Sequence, residues 1–362
     1  MQIDFHHGTT YVCARMAGFT HEKADIIAYS AQYVDEATND GILKFEKGQR
    51  YTRMASAHKM IDRRNFSEAA NHKVWVPFHF LPGNNGISAG GEHKEGTFIK
   101  RLVCKPGSDV AINVLETCRE KKNKPYGLHR LGITMHVFAD TYAHQGFAGI
   151  QHKINEVHNL KLLNEEIDMS VKLGNFFGNI WDSVTQNFLS DVVPLGHGPA
   201  LTCPDKPYLE WSYTNGLDEP VQRKNLDIFM EAVQAMVGYM ILYRDDAEYN
   251  DSNLERDFAQ IKNNFETFRE EKGDERYERW KESIANGDFS FGSQEIQFIP
   301  KGNGSWKHAA IGTEKYVDED NDKFEYKHEF LESDWKLFHD ALQAHYFDVI
   351  HDILPKYDIC VA

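Results

Sequence analysis

The sequence predicts a mostly α-helical fold: a multi-helix globular core followed by a C-terminal helical extension. Two observations carry this. Apolar residues recur at three- and four-residue intervals through long segments of the 362-residue chain. Extended patterns are few and short. Many of the eighteen histidines sit in the first 200 residues, beside Asp, Gly and aromatic neighbours, and that skew is the first hint of function. The boundaries expected are a helical metal-binding catalytic domain over 1–245 and a charged helical extension over 246–362.

Taken in order, Thr20 is placed to cap a helix through HEKADIIAYSAQYVDEA. Its buried stripe is Ala24, Ile27, Ala28, Ala31 and Val34, and Asp35 follows at the helix end. Residues 39–74 are polar and mixed. VWVPFHFLPG (74–83), with two prolines, reads as extended chain or loop, and NNGISAGGEHKEG as loop. Ser108 is placed to cap a helix through AINVLETCREKKN, and Pro125 to open the helix carrying LHRLGITMHVFADTYAHQGFAG (128–149). Helical patterns follow at about 153–172, 174–190 and 225–245, with the loop VVPLGHGPALTCPDKPYLEWSY (192–213) between the last two. Residues 251–286 read as charged surface helix and 289–328 as irregular, with one short strand at EIQFIP. A last helix, about 331–353, carries Trp335, Phe338, Leu342, Tyr346 and Ile350 at core spacing. There is no internal repeat.

The formal net charge of −15 argues against a broad nucleic-acid or anionic-membrane surface. Five cysteines (Cys13, Cys104, Cys118, Cys203, Cys360), odd in number and without short paired spacing, read as free thiols. No stretch reads as the ~20 apolar residues of a membrane span. MQIDFHHG lacks the basic and apolar regions of a secretory signal, so cytoplasmic residence is the default expectation, with signal-less export open. Oligomeric state is not legible.

The chemistry begins with His136, Asp140 and His144, spaced by four and therefore on one helical stripe among apolar and small flanks. Two imidazoles and a carboxylate on a buried stripe need partners, supplied either by a metal or by a satisfied polar network. His129 lies near the same stripe. In DFHHG, Asp4, His6 and His7 offer three donors in four residues; adjacent histidines point different ways, so at most one of the pair joins Asp4. Asp35 opposes the helix dipole and calls for a cation, metal or basic side chain. His79 lies among aromatics and prolines. His197 and Asp205 sit in a Gly/Pro loop of the kind that presents ligands, and His152 with Glu156 forms an alternative pair. His339, His345 and His351, spaced by six, read as surface residues. Phe80, Tyr142 and Phe147 are near the candidate ligands and either line a substrate pocket or pack the core. No nucleophile elbow, phosphate-binding loop or HExxH motif is present.

An early Asp, an "HF" histidine, HxxxDxxxH on a central helix and a later His with an acid together resemble the all-helical trinuclear zinc enzymes, the superfamily of zinc-dependent phospholipases C and zinc single-strand nucleases. More narrowly, DFHHGTTYVCARMAGF, IAYSAQYVDEAT, PFHFLPG, GITMHVFADTYAHQGFAG and LGHGPALTCPDKP look like the bacterial phospholipase C group of the Pseudomonas and Legionella type. The resemblance spans about residues 1–245. It implies two or three Zn2+ per chain, with Asp35, His79 and His136 sharing one ion and Asp140 bridging two. His144 would join another, completed by His197 and Asp205 or by His152 and Glu156. In that superfamily the N-terminal amine and carbonyl of the processed chain also bind zinc. Here Asp4 and His6 are expected to take that place, and the four-residue step from Asp140 to the next His departs from the usual step of about six.

The implied activity is a zinc-dependent phosphodiesterase on phosphatidylcholine-type phospholipids, with Asp35 or Asp140 orienting or deprotonating the attacking water. The alternatives are a nuclease, nucleotidase or other small-molecule phosphoesterase on the same centre, a metal-stabilised binding module, and oxidative chemistry at iron.

Overall fold

In the computed structural model, residues 1–58, 68–93, 98–165, 196–245, 254–319 and 321–361 are described. The first element is a single π-helical turn, Asp4–Thr9, running into α1 (Thr10–Met16). Helix α2 (His21–Glu36) follows, then α3 (Glu68–Phe78), α4 (Phe98–Leu102), α5 (Asp109–Glu120) and α6 (Gly127–Ala143). Next come α7 (Asn225–Asp245), α8 (Leu254–Thr267), α9 (Gly273–Ala285), α10 (Trp306–Ile311) and α11 (Asp334–Phe347). The fold is mostly α, as the periodicity predicts. The β-structure is a hairpin of β1 (Gly41–Lys44) and β2 (Arg50–Arg53), and an antiparallel sheet of β3 (Val157–Leu162), β4 (Glu210–Asn215) and β5 (Pro220–Lys224) in that order.

Helix α6 is the axis of the molecule, with sixteen of its seventeen residues buried. It can lie against α2 only because Gly132 has no side chain: a Cβ there would sit 2.3 Å from Ile27 O and 2.6 Å from Ser30 Cβ. That close approach brings the C-terminal half of α2, with Asp35, alongside His136. Ser108 caps α5 as expected, accepting from Ala111 N at 3.3 Å.

Residues beyond 245 pack into the same interior as those before it. Phe5 and Phe229 share one apolar cluster with Phe265, Tyr277, Trp280 and Ile353; Tyr33 and Val34 share another with Trp335, Phe338 and Leu342. Each large side chain fully buried this way contributes roughly 1.5–3 kcal/mol, so the extension is held by its apolar face and shows its charge to solvent. The five cysteines are free, and four are buried.

Several expectations are corrected. VWVPF belongs to α3, with Pro77 in its last turn, where proline forfeits one backbone bond and leaves most of the helix intact; Val74, Val76 and Phe78 are buried. The polar stretch after residue 39 contains the β1–β2 hairpin. Residues 157–162, read as helix, form β3 because β4 offers a paired edge and an alternating face of Trp211, Tyr213 and Asn215. EIQFIP forms no strand. The helical pattern at 174–190, and that at 153–172 beyond residue 165, lie outside the described residues. His339 and His345 are buried rather than on the surface; a spacing of six hides that α11 is covered on more than one side. Finally, one segment, Asn225–Arg244 in α7, is long and apolar enough to cross a membrane by length and composition. Its Phe229, Ala232, Val233, Met236, Val237 and Met240 are core residues at 0–1 % exposure.

Candidate metal centre

Five histidines and three aspartates converge around α6. His136 and Asp140 stand one turn apart on it, and His144 is its C-terminal cap residue. Asp35 arrives from the end of α2, His79 from the residue after α3, His6 from the π-helical turn, and His197 and Asp205 from the Gly/Pro loop before β4. They fall into three groups whose donor atoms lie within 4.8 Å of one another: His6, His136 and Asp140; Asp35, His79 and His136; His144, His197 and Asp205. Asp140 is central. His6 Nε2 is 3.2 Å from its Oδ1, and His136 Nε2 and His79 Nδ1 are 3.2 and 3.3 Å from its Oδ2. Asp35 Oδ1 faces His79 Nδ1 at 3.8 Å and His136 Nε2 at 3.9 Å. Asp205 Oδ1 lies 4.0 Å from both His144 Nε2 and His197 Nε2.

Backbone carbonyls fix the protons of four of these imidazoles. A carbonyl can only accept, so the ring nitrogen facing it carries the hydrogen. His79 Nε2 donates to Ser56 O at 2.8 Å, and His136 Nδ1 to Ala31 O at 2.8 Å. His144 Nδ1 donates to His79 O at 2.9 Å, and His197 Nδ1 to Leu201 O at 3.0 Å. In each neutral ring the other nitrogen therefore presents a bare lone pair, and all four lone pairs point at carboxylates or at one another. His136 Nε2 and His79 Nδ1 are 3.1 Å apart, and His79 Nδ1 is also 3.3 Å from Asp140 Oδ2, so a proton or a cation is needed among these atoms to offset their repulsion. Donor set and tautomers match what a bound cation needs, a carbonyl holding each ligand histidine from behind.

Burial and charge act in the same sense. Burial, then His136, pushes His6 down to about 4. Burial also holds His144 well below its usual range, against the pull of Asp140. Burial would raise Asp140, but His144, the amine of Met1, His136 and His6 outweigh it and keep the carboxyl well below the ordinary range. His79 is opposed by burial yet raised, because Asp140 and Asp35 favour positive charge there. Among the described residues, neither ring nitrogen of His6 nor Asp205 Oδ1 makes a hydrogen bond; their polar neighbours are Asp140 Oδ1, 3.2 Å from His6 Nε2, and the Met1 amine, 3.4 Å from Asp205 Oδ1. Unpaired buried polar atoms of this kind are costly, and a metal cation satisfies both. Imidazole and carboxylate donors suit zinc.

Asp4 is the expectation this geometry corrects. Its carboxylate is spent on Arg276, with Oδ2 at 2.6 Å from Nε and Oδ1 at 3.3 Å from Nη2, and both side chains are buried. The Met1 amino nitrogen lies 2.8 Å from Asp140 Oδ1, 3.4 Å from Asp205 Oδ1 and 3.5 Å from His144 Nε2. The alternative pair is elsewhere: His152 Nδ1 accepts from Ile154 N, and Glu156 contacts His158. His129 bonds Asp334 at 3.0 Å. Phe80 stacks on His144 with centroids 4.6 Å apart, and Phe147 stacks on Tyr213 in the core.

The chain belongs to the DUF6765 family, a family of unknown function, whose model matches residues 1–353. No curated protein and no solved structure matches it.

Proposed function

We propose that the chain is a zinc-dependent phosphodiesterase acting on phospholipids of phosphatidylcholine type. The observation that carries the metal is the convergence of four carbonyl-fixed imidazoles whose free lone pairs face Asp35, Asp140 and Asp205. The substrate class rests on the resemblance of the motifs around those residues to zinc phospholipases C.

Zinc, when bound, supplies hydroxide at neutral pH by lowering the pKa of water from 15.7 to about 7, and offsets charge on a phosphoryl oxygen. His79 and Asp35 would hold one ion, His6 and Asp140 a second, and His144, His197 and Asp205 a third; His136, whose Nδ1 is spent on Ala31 O, has one lone pair at Nε2 and would complete either the first or the second. Asp140, 1 % exposed and surrounded by the imidazoles of His6, His79, His136 and His144 and by the Met1 amine, would hold charge at the middle of the centre. Asp35 differs: its side chain is 32 % exposed, and its Oδ2 has only a 3.4 Å contact with Gln32 Nε2. It is the group placed to take the proton of an attacking water at the mouth of the centre and pass it to solvent.

Elemental analysis of protein purified without chelator or histidine tag tests the reading. The expectation is two to three zinc per chain, falling to below one in Asp140→Ala, and release of phosphocholine from phosphatidylcholine vesicles by the wild type alone. Absence of stoichiometric metal overturns the centre. Iron in its place moves the chemistry to oxidation. Turnover of nucleotides without turnover of lipid keeps the centre and replaces the substrate.

A further inference from the structure

His6 stands apart from the other four histidines of the centre. Each of those is held from behind by a backbone carbonyl, whereas neither ring nitrogen of His6 makes a hydrogen bond. Its ring is stacked on His136 with centroids 3.8 Å apart, and its Nε2 faces Asp140 Oδ1 at 3.2 Å. No backbone group holds the ring from behind, so the chain on either side must set where it sits.

The residues flanking His6 are gripped by α9. Arg276 takes Asp4, two positions before, through Nε at 2.6 Å and Nη2 at 3.3 Å, and also donates from Nη2 to Gln2 Oε1 at 2.9 Å. Tyr277 meets His7, one position after, with its hydroxyl 2.9 Å from Nδ1. Trp280 lies on Gly8, two positions after, so closely that a Cβ there would be 3.0 Å from Trp280 Cβ. Arg276, Tyr277 and Trp280 stand at i, i+1 and i+4, one face of a helix. The segment they hold is a π-helical turn, a rare form that is frequent at functional sites, though a second one, Asp348–Ile353, lies elsewhere in the chain. It turns His6 toward Asp140 and His7 toward Tyr277.

We infer that α9 is the positioning element for His6, so that the C-terminal third of the chain sets the affinity of the ion held by His6 and Asp140. The inference rests on the metal centre proposed above. It gives residues after 245, which contribute no donor to the three groups, a defined part in the site. None of Arg276, Tyr277 and Trp280 touches the ligand atoms; they act through the backbone of residues 4–8.

Zinc affinity, measured by competition with a chromophoric chelator, tests this in wild type, His6→Ala, Arg276→Lys and the double variant. Lys keeps the positive charge but not the two-nitrogen grip on Asp4. Arg276→Lys is expected to weaken one ion about tenfold, the lower end of the effect of groups that orient metal ligands, and to leave the remaining ions unchanged. The double variant is expected to be no worse than His6→Ala, because the clamp acts only through that ligand. A cycle on Tyr277→Phe, which loses one hydroxyl, gives the same reading should Arg276→Lys fail to fold. Additive losses, or full affinity in both clamp variants, overturn the inference while leaving the centre standing. A wild type without zinc overturns both.

Discussion

Two of the places that hold buried histidines, the surroundings of α6 and the helix α11, form a contrast that separates burial from function. On α6 and around it, His136, His144 and His79 are 0–4 % exposed; on α11, His339 and His345 are 2 % and 0 % exposed. Backbone bonds anchor both sets: His345 Nε2 donates to Pro77 O at 2.9 Å, and His339 bonds the backbone of Met54. The difference is what meets the second nitrogen. Around α6 it meets Asp35, Asp140 or Asp205. On α11, Nδ1 of each ring has no hydrogen-bond partner, and the rings pack on Trp335 and Phe78. Several buried imidazoles with carboxylates at their free nitrogens offer a donor set for a cation; the α11 rings, without carboxylates, do not.

Removing one histidine from each place gives the largest separation. His136→Ala removes the one lone pair that two of the three groups share and is expected to remove at least one zinc per chain. His345→Ala is expected to keep full metal while losing roughly 1–3 kcal/mol of stability, since it orphans the Pro77 carbonyl and opens a cavity. Elemental analysis beside thermal melting reads both. Metal loss of the same size in His345→Ala would erase the distinction.

The two places also differ in how far the sequence betrays them. The α6 stripe is legible because three donors at spacings of four, among apolar flanks, must share one buried face. His197 and Asp205 are legible because a loop so rich in Gly and Pro needs a reason to be rigid. The carbonyls of Ala31, Ser56, His79 and Leu201 and the amine of Met1 are invisible for a simple reason: backbone atoms carry no residue signature. Asp4 misleads because its partner, Arg276, is 272 positions away. His339 and His345 mislead because a spacing of six describes an exposed stripe poorly when a helix is packed on two sides. The strand β3 and the helix α3 were set by partners across the fold, which local patterns do not contain.

Within the centre a smaller contrast divides Asp140 from Asp35. Asp35→Asn keeps an oxygen donor but loses the proton acceptor, so it is expected to lower kcat by about 10²–10⁴, with at most one ion lost per chain and KM changed far less. A variant that loses all metal, as Asp140→Ala should, would place Asp35 among the groups that hold the centre together and leave the proton without an acceptor at the mouth.

The α11 histidines should register in acid although they belong to none of the three groups. Burial, then Arg53, lowers His339 to about 3 in the folded protein, against about 6.5 in the unfolded chain. Above pH 6.5 both states are neutral and the residue adds no pH dependence. Between 6.5 and 3 the unfolded chain takes up a proton that the folded protein refuses, so stability falls as pH falls, by an upper bound of roughly 3 kcal/mol from this residue at pH 4.5. In metal-free protein, where the ligand histidines titrate in both variants alike, His339→Gln should move the acid-unfolding midpoint, followed by circular dichroism, to lower pH by a few tenths of a unit. The shift is small because His7, pushed down to about 3 by burial and Lys281, continues to lose stability over the same range. An unchanged midpoint would mean that the His339 ring takes its proton without unfolding, and would remove the basis for treating α11 as sealed core.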